Sequence, residues 1–428
     1  MNEKIELKRA LLVGINVNND KDFEKSFEEL EDLAKANYYE PVCQVSQNVP
    51  HVNKAIFLGT GKLEEIREII KKEDIEIVVF NNELSPMQYK NISDALKIEI
   101  IDRTGLILQI FSDRAKTREA KLQVEVARLG YMLPRLSHMH TGLSRQGAGK
   151  GSKGSGEKKL ELDKRVIEKE LDKLKKDLEG LSKVRETQRK KRAKSGLSRI
   201  ALAGYTNAGK STILNEILKL YECEEVEDDE ESKIKTVFEK DMLFATLETS
   251  VRKIKLDNNK SFLLSDTVGF IRQLPHSLVK AFRSTLEEIK ESDLILEVID
   301  MSDEDYEKHM EVTEKTINDI GAGDVPVLYV FNKADKCDAK HPEVKENEIY
   351  ISAKSEDDVK CLIEEISKRI FSSYVKCKML IPFDKGNIVS YLNSTATIYN
   401  TEYNENGTLL DLELNEADYN KYLCYEIK

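Results

Sequence analysis

One run limits what this chain can become more than any other: Gly204-Tyr205-Thr206-Asn207-Ala208-Gly209-Lys210-Ser211-Thr212. Two glycines four residues apart, followed by Lys and Ser, match the phosphate-loop pattern. Arg199 to Ala203 before it is apolar and reads as a buried strand, and Ile213 to Leu220 after it reads as a helix. The motif needs that setting, because the backbone amides of a strand-to-helix turn point inward at bound phosphates. Gly204 and Gly209 permit the tight turn, Lys210 is expected to reach the outer phosphates, and the Ser211 hydroxyl is expected to ligate Mg²⁺.

Three later segments specify the nucleotide. Phe262 to Ser265 is an apolar strand running into Asp266-Thr267-Val268-Gly269, which places a carboxylate behind the metal and a glycine amide for the γ-phosphate. Val327 to Phe331, another strand, ends in Asn332-Lys333-Ala334-Asp335. The Asp335 carboxylate can accept from N1–H and the exocyclic amine of guanine, whereas adenine offers an acceptor at N1 and would leave the charge unmatched. Ile349 to Ile351 leads into Ser352-Ala353-Lys354, whose backbone amide is expected to meet the guanine carbonyl oxygen. Each segment stands at the carboxyl end of a strand, where open α/β sheets bind ligands.

Met242-Leu243-Phe244-Ala245-Thr246-Leu247-Glu248 supplies the first switch. Thr246 is the expected threonine that completes Mg²⁺ coordination, with Thr249 as its rival. After Gly269 comes Phe270 in place of the water-orienting Gln of many GTPases, so no catalytic residue is assigned and hydrolysis by the chain alone is expected to be slow. Gln273 reads as a surface contact. Glu222 to Glu231, with eight acidic residues in ten, reads as a solvated loop.

A chain of 428 residues has room for about three domains. Its charged opening and the lack of any long apolar run predict a cytosolic protein without a membrane span. The six cysteines lie far apart without a Cys-x-x-Cys pair and read as reduced thiols. The net charge of -11 hides an asymmetry: Arg145 to Arg199 holds 19 Lys/Arg against 9 Asp/Glu, leaving -21 on the rest. A basic arm on an acidic body fits an RNA-contacting projection.

Ahead of the phosphate loop, residues from Ala10 to about Asp102 alternate strand and helix and predict a small, mainly parallel α/β domain, with strands that include Ala55 to Leu58. Gly59-Thr60-Gly61-Lys62 lacks the full phosphate-loop spacing and reads as a turn and helix start. Leu106 to Leu133 is a long helical pattern, expected to be interrupted at Gly130 and ended by Pro134. Glu157 to Lys194 is helical again, with Ile167, Leu171, Leu174, Leu178 and Leu181 spaced as a coiled-coil seam. An antiparallel helical pair tipped by a basic loop, Arg135 to Lys158, follows. His138 and His140 in that loop read as solvent or RNA contacts, and no metal is assigned there. Residues from Leu380 on suggest a small α+β appendage. The expected modules are 1–105 (α/β), 106–196 (helical arm with a basic Gly-rich loop), 197–373 (P-loop GTPase domain) and 374–428 (α+β).

Five stretches together resemble the HflX family of translational GTPases, essentially end to end. They are Gly204 to Ser211 with its Tyr-Thr-Asn-Ala filling, Leu243 to Leu247, Asp266 to Phe270, Asp102 to Phe111, and Arg118 to Glu125. The last two are specific to that family. The resemblance implies a GTPase that binds the large ribosomal subunit and its rRNA and acts in splitting or rescuing stalled ribosomes, its arm reaching toward the peptidyl-transferase region. It also implies Mg²⁺ ligands at Ser211 and Thr246 and a hydrophobic residue, here Phe270, where other GTPases carry Gln. A monomer is expected. Two other classes stay open to test: a metabolic phosphotransferase, for which the sequence offers neither a second substrate pocket nor an acid/base residue, and a GTP-regulated scaffold for ribosome assembly or RNA maturation.

Overall fold

The structure, a computed structural model, describes residues 7–139, 153–194, 196–225, 250–256, 258–271 and 283–427. Residues up to Gln188 group as one compact unit, and most of those from Arg189 on group as a second.

In the first unit the order is β1 (Lys8–Val17), α1 (Phe23–Ala36), β2 (Tyr39–Val49), α2 (Thr60–Lys72), β3 (Ile77–Phe80), α3 (Pro86–Leu96), β4 (Glu99–Asp102), α4 (Arg103–Arg114), α5 (Arg118–Met139) and α6 (Lys153–Lys194). The four strands form an all-parallel sheet in the order β2-β1-β3-β4, as expected of strands linked through helices. Val78, Val79 and Phe80 are fully buried between the helical layers, and a side chain of that size contributes roughly 2 kcal/mol when buried. α3 starts where Ser85 and Gln88 exchange a reciprocal cap and Pro86 takes the first turn.

Three expectations for this unit are corrected. Ala55 to Leu58 is a turn, because Asn53 Oδ1 accepts from the amides of Ala55 (2.8 Å) and Ile56 (3.1 Å) and Phe57 adopts φ +65°. The long helical pattern breaks after Arg114 instead of at Gly130, since Thr117 Oγ1 accepts from the Ala120 amide and starts a new helix. Pro134 does not end α5. The helix runs on to Met139, held just past the proline by Arg135, which donates to the Tyr131 and Leu84 carbonyls and to Asp102.

Arg135 also leaves its expected place in the basic loop. It is buried, and its Nη2 donates to Asp102 Oδ2 (2.9 Å) and to the Leu84 carbonyl (2.8 Å). Fully buried Asp102 further accepts from Tyr131 Oη (2.6 Å), Leu84 N (3.0 Å) and Gly105 N (2.9 Å). Arg103 beside it pairs with Glu29 at 2.8 Å. This cluster roots α4 and α5 to the sheet and explains what the Asp102 to Phe111 stretch does. α5 and α6 run antiparallel: Arg185 binds Glu119 at 2.7 Å, and Arg128, whose pKa is raised first by its hydrogen bond to Glu125, also feels a smaller attraction from Glu170. Ile167, Leu171, Leu174, Leu178 and Leu181 are half-buried while most of their neighbours are exposed, as the seam predicts. His138 lies in α5 and Lys153 to Lys158 in α6, whereas His140 lies outside the described residues.

The second unit contains β5 (Ser198–Gly204), α7 (Lys210–Leu220), β6 (Glu222–Glu225), β7 (Ser250–Lys255), β8 (Ser261–Asp266), α8 (Arg283–Lys290), β9 (Leu294–Asp300), α9 (Tyr306–Asp319), β10 (Val327–Asn332), β11 (Glu343–Lys345), β12 (Glu348–Tyr350) and α10 (Glu356–Ile370). After these come β13 (Val375–Ile381), α11 (Gly386–Thr395), β14 (Thr397–Asn404), β15 (Gly407–Leu414) and α12 (Glu416–Tyr422). The large sheet runs β11-β12-β10-β9-β5-β8-β7-β6, parallel from β12 to β8 and antiparallel at both margins. The chain leaves β5 for neighbours on both sides, so the switch point where such sheets bind ligands lies at the carboxyl end of β5. Glu222 to Glu225, expected as loop, pairs with β7 as an edge strand, and the rest of the acidic run lies outside the described residues.

The last three strands form an antiparallel sheet, β13-β15-β14. The turn between β7 and β8 is fastened to it. Thr397 Oγ1 donates to Asn258 O (2.6 Å), Asn259 Nδ2 donates to Asn393 O (3.2 Å), and Lys260 pairs with Glu413 at 3.0 Å while lying 5.1 Å from the Phe371 and Tyr374 ring centres.

Candidate functional site

The site is assembled at the carboxyl ends of β5, β8, β10 and β12. β5 ends at Gly204, with φ +139° and a position where any side chain would run into the Val298 carbonyl. Gly209, with φ +99°, opens α7 and leaves no room for a side chain against Asn332 Nδ2. Only glycine suits either place. Between them Asn207 also takes a left-handed conformation, φ +61°.

Lys210 is buried, and its Nζ donates to the carbonyls of Gly204 (2.9 Å) and Tyr205 (2.6 Å). Burial pushes its ammonium down to about 8, partly opposed by the nearby Asp266 carboxylate. Ser211 Oγ donates to Asp266 Oδ2 at 3.2 Å. The hydroxyls of Ser265 and Thr267 bind the Ile200 (3.0 Å) and Leu202 (2.6 Å) carbonyls, which locks β8 to β5 and fixes where Asp266 stands. A hydroxyl and a buried carboxylate are hard oxygen donors suited to Mg²⁺, which keeps most of its shell for water and phosphate. Among the described residues no group of three or more His, Cys, Asp or Glu could hold a metal by itself.

Asp266-Thr267-Val268-Gly269 closes on the phosphate loop. Phe270 N donates to Gly204 O (3.1 Å) and Thr206 N donates to Phe270 O (2.8 Å), a short parallel bridge. A side chain at Gly269 would sit 3.0 Å from Lys210 Nζ and 2.9 Å from Thr206 Cγ2. Phe270 is 2 % exposed, so its ring belongs to the core. His309 of α9 stacks on Tyr205, ring centres 3.9 Å apart and planes 10° from parallel.

At the other end, Asn332 staples two loops: its Nδ2 donates to Ala208 O (2.9 Å) and its Oδ1 accepts from Ala353 N (2.9 Å). Lys333 takes φ +63° and pairs with Asp300 at 2.6 Å, and Ala334 N bonds to Ile351 O at 3.1 Å. Asp335 Oδ1 accepts from Ser352 Oγ at 2.8 Å. That hydroxyl is the main reason the Asp335 carboxyl titrates below its ordinary range, with Lys354 and His341 adding smaller attractions. Ser352 N in turn donates to Asp358 Oδ2 at 2.7 Å.

The structure thus brings Gly204 to Ser211, Asp266 to Gly269, Asn332 to Asp335 and Ser352 to Lys354 together at the carboxyl ends of the sheet's parallel strands. Phe244, Ala245, Thr246, Leu247 and Glu248, with Thr249 and Gln273, lie outside the described residues. His309, Asp300, His341 and Asp358 also shape the site, and no motif announces them. A capping serine at Ser355 three residues before Asp358 is the one local signal that was available.

Known proteins resemble this chain along most of its length. Residues 24–112 match the family model described as GTP-binding GTPase N-terminal, and 114–192 that of the GTP-binding GTPase middle region. Residues 199–333 match the 50S ribosome-binding GTPase model and 339–422 the HflX C-terminal domain. The chain is 39% identical over 406 residues to the GTPase HflX of Caldanaerobacter subterraneus subsp. tengcongensis, covering 95% of this chain and 91% of that one. To the GTPase HflX of Escherichia coli it is 34% identical over 409 residues, covering 94% and 92%. Among solved structures, a GTP-binding protein from Sulfolobus solfataricus in complex with GDP aligns at 25% identity and TM-score 0.45, over 84% of this chain and all of that one.

Proposed function

The chain belongs to the HflX family of GTPases, and from that premise we propose a GTP-gated factor that holds the large ribosomal subunit and separates stalled ribosomes. It binds GTP and hydrolyses it to GDP and phosphate, and the match of residues 199–333 to ribosome-binding GTPases supports association with the ribosome. Separation of subunits is the finer reading. It draws support from a 42-residue helix, α6, rooted by its partner α5 in the Asp102 cluster. The basic excess of that region suits it to RNA phosphates. The factor works in the cytosol as a monomer built of four modules bounded near residues 105, 196 and 373. Among the described residues no helix is long and apolar enough to cross a membrane.

The amides of Asn207, Gly209 and Lys210 receive the phosphates, since those of Thr206 and Ala208 are already engaged. Lys210 swings from the Gly204 and Tyr205 carbonyls onto the outer phosphates. Ser211, Asp266 and Thr246 would hold Mg²⁺. When bound, the ion neutralises charge that develops on the phosphate oxygens. Asp335 takes N1–H and the amine of guanine. Of the three amides in the Ser352 to Lys354 turn, those of Ser352 and Ala353 are spoken for, which leaves that of Lys354 to the guanine carbonyl. Phe270, buried and bonded to the phosphate loop, orients no water, so a partner's group or a rearranged second switch completes the reaction.

The observation that carries the GTP reading is the Asn332 staple, which sets the base-reading and phosphate-holding loops at one fixed spacing. Sedimentation of intact ribosomes with the protein and GTP or a non-hydrolysable analogue tests the wider function. Loss of the intact-ribosome peak supports separation. Co-migration with free large subunits alone supports an assembly role instead.

A further inference from the structure

The base end of the site is held from outside its motifs. Asp358, in the first turn of α10, has a side chain only 2 % exposed. Its Oδ2 accepts from Ser352 N (2.7 Å) and lies 2.7 Å from His341 Nδ1, while its Oδ1 accepts from Ser355 Oγ (2.7 Å). Ser352 passes the constraint on, because its hydroxyl donates to Asp335 Oδ1 at 2.8 Å. Four residues thus form one line: His341, Asp358, Ser352, Asp335.

Capping of α10 needs only Ser355, whose hydroxyl accepts from Asp358 N. The Asp358 carboxylate itself is buried, and a buried charge is tolerated only when its lone pairs are taken. His341 donates one of the bonds that meet this need, and the remaining one on Oδ2 fixes the Ser352 backbone. Removing Asp358 takes away the bond that fixes the Ser352 amide, and removing His341 loosens the carboxylate that makes it, while the Ser352 carbonyl stays bonded to Ser355 N.

We propose that His341 and Asp358 are positioning residues for base selection. They hold Ser352, through it aim the Asp335 carboxylate, and so set the preference for a purine carrying a 2-amino group over one lacking it. The inference rests on Asp335 being the base reader.

The test measures dissociation constants of the full chain for GDP, for inosine diphosphate, which lacks the 2-amino group, and for ADP. His341→Ala should weaken GDP about threefold and Asp358→Ala about tenfold, less than the full worth of a bond to a charged group because the loss reaches the base only through Ser352. The inosine nucleotide should be weakened less, so the ratio between the two shrinks. His341→Asn places an amide nitrogen where Nδ1 stood and should restore the ratio, which a loss of folding would not explain. A ratio unchanged in both alanine variants overturns the proposal, and His341→Ala, at a half-buried surface residue, decides alone if Asp358→Ala does not fold. Asp335→Asn serves as control. If it fails to move preference toward xanthosine diphosphate, or if the wild type does not favour GDP over ADP, the base reading itself falls and takes this inference with it.

Discussion

Lys210 Nζ donates to the Tyr205 carbonyl at 2.6 Å, so the ammonium awaiting a triphosphate is folded back on the loop that carries it. Two carbonyl dipoles and the nearby Asp266 carboxylate stabilise the charge only in part, and burial holds the group's pKa at about 8 against an ordinary 10.5. The folded state therefore binds this proton less tightly than the unfolded chain. Its penalty is complete below pH 8 and fades as pH rises toward 10.5.

Lys210→Met should accordingly remove a rise in the stability of the nucleotide-free protein between about pH 8 and 10. It should also weaken GDP roughly a hundredfold, through loss of a charged phosphate contact. Thermal unfolding across that range, with nucleotide titration at pH 7.5, checks both. An unchanged pH slope contradicts the account.

Glu297 carries the opposite sign. It lies in the middle of β9, 1 % exposed, opposite Tyr329 of β10, and neither carboxylate oxygen has a hydrogen-bond partner among the described residues. Burial first, and repulsion from Glu314 second, push its carboxyl up to about 8. The cost of ionising it is absent below about pH 4.5 and grows until about pH 8. Glu297→Gln should stabilise the protein by on the order of 3 kcal/mol at pH 8 and much less at pH 5. Melting curves at the two values decide, and an equal shift at both would refute it.

Phe270→Gln tests whether a carboxamide there can serve hydrolysis. With the ring in the core and both backbone groups bonded to Gly204 and Thr206, the replacement should cost about 2–4 kcal/mol of stability. It should leave single-turnover hydrolysis by the isolated chain within roughly threefold, under 1 kcal/mol of barrier. A rise of two orders of magnitude would mean that the second switch turns this residue toward water.

Asp102→Ala removes the acceptor shared by Tyr131, Arg135, Leu84 and Gly105 and strands a buried guanidinium. The expected loss is about 3–5 kcal/mol. Hydrogen exchange should show α5 opening far more often than in the wild type. Unaltered protection across residues 118–139 would argue that the seam with α6 alone holds the helix.

Much of this candidate site could be read from the chain because the residues expected to meet phosphate and base sit in short contiguous loops, each following an apolar strand. The Asn-Lys-Ala-Asp and Ser-Ala-Lys segments are examples: strand, turn and chemistry sit within ten residues. What escaped has no such locality. His341 meets Asp358 across 17 residues with no periodic signal between them. α9, which brings His309 onto Tyr205, shows only Thr313 and Ile317 as fully buried positions, too few to raise a helical pattern above its polar surroundings. Ala55 to Leu58 read as a strand because apolar content outweighed the Asn53 turn, and Pro134 read as a terminator because a proline inside a helix ordinarily loses a backbone bond and crowds the preceding turn.

The fastened turn at Asn258 to Lys260 gives β8 a fixed origin. A strand clamped at its first residue has lost the freedom to creep along its neighbours, since one step of slippage would tear the Thr397, Asn393 and Glu413 contacts together. Asp266 stands at the far end of that six-residue strand, so the carboxylate beside Ser211 is tied to the terminal sheet by one short span of backbone.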